Sequence, residues 1–102
     1  MTKLIQILLP LNDNNGRKLP RAHFAAVREE LVARFGGLTA YARSPARGLW
    51  KSSGRTKRDD VIIFEVMTAR VAKAWWSRYR HILERRFRQQ EIVVRVSDIT
   101  LL

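Results

Sequence analysis

Two short segments decide what this chain can fold into. Residues 3–9 (KLIQILL) and 61–67 (VIIFEVM) alternate like β-strands, yet both faces of each are largely apolar. In the first, Ile5, Ile7 and Leu9 share a face with Lys3, while Leu4 and Leu8 flank Gln6 on the other. In the second, Ile62, Phe64 and Val66 oppose Val61, Ile63, Glu65 and Met67. A strand with no face for water belongs in the middle of a sheet with both sides covered.

The rest of the chain supplies the neighbours of those two strands. Residues 20–35 predict a helix: Phe24, Val27, Leu31 and Phe35 recur at three- and four-residue spacing. Pro20 suits the first turn, and Gly36-Gly37 stops the helix. Residues 38–43 predict a second strand, with Leu38, Ala40 and Ala42 toward the helices. Residues 44–60 then form a long connection with Pro45, Gly48 and Gly54. Connections of this length are commonly functional.

A second helix is predicted over residues 70–88. Val71, Ala72, Trp75, Trp76, Tyr79, Ile82, Leu83 and Phe87 occupy one wide half. Lys73, Arg78, Arg80, His81, Glu84, Arg85 and Arg88 occupy the other half, while Arg86 projects from the apolar side, where it must snorkel or meet an anion. A last strand follows over residues 91–99. The order β-α-β-β-α-β is the ferredoxin-like arrangement. It implies an α+β fold with an antiparallel four-stranded sheet and both helices on one face. Its first and third strands lie in the middle, which matches the two doubly apolar segments.

Length and composition narrow the classes. A chain of 102 residues makes one domain, spanning residues 1–102. No Cys is present, so disulfides, thiolate metal sites and Cys nucleophiles are excluded. The start resembles a signal peptide only superficially, because Gln6 and Pro10 break a short apolar run and no small-residue cleavage site follows. No apolar run reaches the length of a membrane span, so a cytoplasmic protein with no membrane partner is expected. The formal net charge of +11 is the strongest compositional signal. It fits a polyanionic partner such as nucleic acid, and equally a well-solvated surface.

The sheet face away from the helices carries the most specific functional expectation. It would present Leu4, Leu8, Val61, Ile63, Met67 and Val93, too much apolar surface to leave to water. A homodimer packing sheet on sheet, as a dimeric α+β barrel, would cover it. Gln6, Tyr41, Arg43, Glu65 and Arg95 would then line a cleft for a small-molecule ligand. The simpler alternative is that Glu65 and Arg95 satisfy each other.

No motif of established chemistry appears. The two His residues, His23 and His81, lie on different helices with no carboxylate set by spacing to orient either. Asp59-Asp60 opens a strand, where a carboxylate pair is usually turn chemistry. Asn12-Asp13-Asn14-Asn15-Gly16 is a turn cluster without the later ligands of a calcium loop. No metal and no cofactor are expected. Compared with the RNA-recognition motif, the third strand has one aromatic, facing the helices, and a carboxylate where a base would stack. Nucleic-acid contact would instead use Arg47, Trp50, Lys51, Arg55, Lys57 and Arg58 of the long connection, with Arg85, Arg86 and Arg88 at the end of the second helix. Trp50 either stacks a base or, with Leu49, plugs the loop onto the body.

RFGGLTAY from Arg34, SPARGLWK from Ser44, RDDVIIFEVM from Arg58, and the Ala74-Trp75-Trp76 and Arg85-to-Gln89 segments together resemble a group of small bacterial proteins of unassigned biochemical role. In layout the chain is also similar to the nitrogen-regulatory signalling proteins, although their glycine-rich nucleotide loop has no counterpart in Arg88-Gln89-Gln90-Glu91. Dimeric α+β barrel enzymes share the architecture without a matching motif. Three functions follow as expectations: a homodimeric ligand- or partner-binding domain, a nucleic-acid-binding protein, or a cofactor-free enzyme using Tyr41, Arg43, Glu65 or Arg95.

Overall fold

The computed structural model describes residues 2–43 and 60–102. Six elements run in the expected order: β1 (Thr2–Pro10), α1 (Arg21–Phe35), β2 (Thr39–Arg43), β3 (Val61–Thr68), α2 (Lys73–Arg86) and β4 (Val93–Ile99). The strands form one antiparallel sheet ordered β2-β3-β1-β4. β1 and β3, apolar on both faces in sequence, are therefore the two central strands. The α+β ferredoxin-like layout is thus the observed one.

Register explains how the sequence divides between the faces. Ile5 lies opposite Val66, Ile7 opposite Phe64 and Leu9 opposite Ile62, and these residues build the helix side. Ile5, Ile7 and Leu9 are buried with Phe64 and Val66 from the sheet and Ile92 just before β4. Phe24, Val27 and Leu31 of α1 and Trp76, Tyr79 and Leu83 of α2, with Phe87 just beyond it, close over them. Phe35 is only half-buried but stacks on Trp76 at 5.6 Å between ring centroids. Trp75 stacks on Tyr79 at 4.7 Å, and the Arg34 guanidinium sits 4.2 Å over the Trp75 ring. No polar or charged side chain is buried among the described residues.

The helices differ from the sequence reading at their ends. α1 begins at Arg21, with Pro20 as its N-cap, and ends at Gly36 in the left-handed conformation (φ 78°). There Gly36 donates its N–H to the Val32 carbonyl. A side chain in that conformation is strained, so Gly36→Ala is expected to lower stability by about 1 kcal/mol in urea unfolding. α2 starts later than expected because residues 69–72 turn first, held by the Thr68 hydroxyl donating to the Arg70 carbonyl. It stops at Arg86 because Arg88 takes a positive φ of 52°. Ile82, expected on the apolar half, lies at its margin and is exposed. The buried line runs instead through Trp76, Tyr79, Leu83 and Phe87. β4 begins only at Val93, after the Ile92 amide has donated to the Glu84 carboxylate at 3.3 Å.

Candidate functional site

Pairing register assembles a polar row on the open face. Gln6 on β1 lies opposite Glu65 on β3 and opposite Arg95 on β4. Thr39 on β2 lies opposite Glu65, which places Tyr41 one step along the same face. With period-2 alternation, all these side chains project away from the helices.

The row is linked by hydrogen bonds. The Arg95 Nε donates to the Gln6 Oε1 at 2.7 Å. The Gln6 Nε2 donates to the Glu65 Oε1 at 2.6 Å. The Tyr41 hydroxyl donates to the same Glu65 oxygen at 2.8 Å and lies 3.2 Å from the Gln6 Nε2. Glu65 and Arg95 do not pair directly, because Gln6 on the intervening strand stands between them. The Gln6 amide thus accepts from a cation on one side and donates to an anion on the other. Its orientation is fixed by that polarity.

The second Glu65 oxygen has no hydrogen-bond partner among the described residues. Glu65 also borders a cleft of about 410 Å³, walled by Leu4, Thr39, Met67 and Ile99 and, from the helix side, by Phe35, Leu38 and Val66. An ionised carboxylate presented to an apolar-walled cleft accepts hydrogen bonds and attracts cations. Around the row the face remains apolar and open: Met67 is 52% and Val93 48% exposed. Leu4, Leu8 and Val61 are half-buried, and Ile63 is buried.

The sequence candidates therefore separate. Gln6, Tyr41, Glu65 and Arg95 come together in one network. Arg43 closes β2 with its backbone opposite Val61. The candidate nucleic-acid contacts Arg47, Trp50, Lys51, Arg55, Lys57 and Arg58 lie outside the described residues. Arg85 and Arg88 are exposed at the end of α2. Arg86 meets an anion of its own chain: its Nη1 and Nη2 donate to the two Glu30 oxygens at 2.7 and 2.9 Å. The Tyr79 hydroxyl donates to the same carboxylate at 3.0 Å. Those bonds from Arg86, with Tyr79 adding to them against partial burial, hold the Glu30 carboxyl below its ordinary range. Burial, reinforced by the Glu30 charge, pushes the Tyr79 phenol up.

His23 packs edge-on against Phe87 at 5.8 Å, and His81 contacts Glu84 at 3.0 Å on the exposed side of α2. Asp13 organises the turn after β1, its Oδ1 accepting from the Asn15 and Arg17 amides. No cluster of metal-ligating side chains occurs among the described residues. No helix among them is long and apolar enough to cross a membrane.

No protein-family profile matches the chain, and no curated protein matches it by sequence. Among solved structures, a phage SAM lyase in complex with S-methyl-5'-thioadenosine is similar at a TM-score of 0.62 and 11% identity. The likeness covers 95% of this chain and 81% of the lyase. At that identity what the two share is the fold: a small α+β domain with a four-stranded antiparallel sheet and two helices.

Proposed function

We propose that this chain binds a small polar ligand on the open sheet face at Glu65, with a second copy of the chain covering that face. The observation that carries the reading is the Glu65 carboxylate. One of its oxygens is held by Gln6 and Tyr41, and the carboxylate borders an apolar-walled cleft. A ligand with hydroxyl or amine donors beside an apolar body complements such a site. S-methyl-5'-thioadenosine, the molecule bound by the phage lyase, has that chemistry: ribose hydroxyls, an amino group, a thioether and an aromatic base. The exposed Met67 and Val93 support a second copy as the cover, since burying them on self-association is favourable.

Titration calorimetry with S-methyl-5'-thioadenosine, alongside a native mass spectrum at moderate ionic strength, tests this. A dimer that binds the nucleoside is expected. Glu65→Gln should weaken binding about fivefold, since it removes charge from the accepting group while keeping its shape. A monomer that binds nothing overturns the proposal, and so does undiminished binding by Glu65→Gln. A second reading, favoured by the lyase activity of the similar fold, is turnover at the same face. It requires SAM to be consumed by the protein, and to be consumed more slowly by Tyr41→Phe and Glu65→Gln.

A further inference from the structure

On the opposite side of the sheet, the start of α1 and the β1–α1 connection enclose a second cleft, of about 530 Å³. Leu11, Leu19, Phe24, Ala25 and Ile62 make its apolar wall. Among the described residues, Lys18, Arg21 and Arg28 supply three cations to the lining, and Asp60 the single anion. We infer that this cleft is a binding site for a phosphomonoester carried on an apolar or aromatic body.

Three observations carry the inference. The first is charge. Three cations against one carboxylate leave a formal +2 on the lining, the complement of a dianionic phosphate. None of the three has an ion pair among the described residues, although Lys3, Arg80 and Arg86 do. Nor does the first turn of α1 carry an acidic residue to neutralise Arg21. Two guanidinium groups and an ammonium suit phosphate oxygens, which accept forked hydrogen bonds from Arg.

The second is rigidity. Lys18 stands on a small hairpin that is fully tied: Asn12 bridges Lys18, the Leu19 amide donates to the Leu11 carbonyl at 2.9 Å, and the Asp13 amide to the Arg17 carbonyl at 2.7 Å. The Leu11 amide is in turn bound to the Asp60 carbonyl at 3.1 Å, which fixes the hairpin to the start of β3. Arg21 and Arg28 stand on a helix whose buried face is locked by Phe24, Val27 and Leu31. The cationic groups are thus mounted on fixed backbone before a ligand arrives, and less ordering opposes binding.

The third is the balance of the wall. Its size lies within the range of small-molecule pockets. Its apolar share suits an aromatic body and is wasted on a bare inorganic ion. Asp60 sets the polarity of the site, since it repels the phosphate toward the cationic wall. Its Oδ1 is enclosed with no hydrogen-bond partner among the described residues and would accept one from a ligand hydroxyl or amine.

Titration of the full ¹⁵N-labelled chain with 1-naphthyl phosphate, followed by amide shifts, tests the assignment. Saturable shifts confined to residues 11–28 and 60–62 are expected, with 1-naphthol and inorganic phosphate each binding more weakly. Lys18→Gln with Arg28→Gln changes two exposed side chains outside the core, and the pair should weaken binding about fivefold. Shifts centred on Gln6 and Glu65 overturn the inference, as does equal binding of 1-naphthol or an unchanged affinity in the double variant. Because the two clefts share no lining residue, failure here leaves the Glu65 reading standing, and the converse also holds.

Discussion

Phe87→Ala is expected to remove about 3–5 kcal/mol of stability, enough to unfold a large fraction of molecules in a domain of ordinary stability. Phe87 is fully buried. Its ring meets Phe24 edge-on at 5.1 Å and His23 at 5.8 Å, both on α1. Its amide donates to the Leu83 carbonyl at 2.9 Å, so the same residue caps α2. Truncation removes the ring contacts that join the end of α2 to the start of α1 and leaves a void in the core. The backbone cap remains in the Ala variant, so the loss is one of packing. Phe87→Leu, which keeps most of the volume, should lose no more than about 1.5 kcal/mol. Urea unfolding followed by circular dichroism distinguishes the two. A loss below about 1 kcal/mol in Phe87→Ala would mean that the helix ends are held by something other than this ring.

The central strands were legible because burial on both sides leaves a pattern in the sequence. Lys3 to Leu9 and Val61 to Met67 have few polar residues, and no other strand among the described residues shares that property. Topology followed from those two facts and the element order. The members of the open-face row were also legible, since alternation assigns each residue to a face. The links between them were not. That Gln6 separates Glu65 from Arg95 depends on three strands pairing in one register, and register is fixed by tertiary contacts rather than by any one segment. Ile82 was misplaced because a wide apolar half cannot show which edge of it faces the sheet. The cleft at Lys18, Arg21 and Arg28 left no sequence signal at all. Its cations are scattered among twenty in the chain, and only the folding of the hairpin beside α1 separates them from the rest.

The Glu30–Arg86–Tyr79 cluster shows the same gap between residue and partner, and it carries the second large effect. Arg86 stood out in sequence as a cation on an apolar half-helix, but Glu30 lies on the other helix with no spacing to link the two. In the structure Arg86 grips both Glu30 oxygens while Tyr79 donates to one of them. Arg86→Met is expected to lower stability by about 2 kcal/mol at neutral pH, a value below that of a deeply buried pair because Glu30 is partly open to solvent. Its pH dependence follows from the sign of the shift. The Glu30 carboxyl is held below its ordinary value of 4.5, so the pair's contribution is complete above that pH and is lost as pH falls through the lower folded value. The difference between Arg86→Met and the native chain should therefore close in acid. On the alkaline side the phenol of Tyr79 is raised above its ordinary 10.0, chiefly by burial and then by the Glu30 charge. Its contribution is present below that pH and fades above it. Glu30→Gln should bring the Tyr79 titration down only in part, because burial survives the substitution. Denaturant melts across pH, with ultraviolet titration of tyrosine, read both limbs. A stability difference that stayed constant from neutral pH into acid would show that Arg86 acts by packing its stem rather than by gripping Glu30.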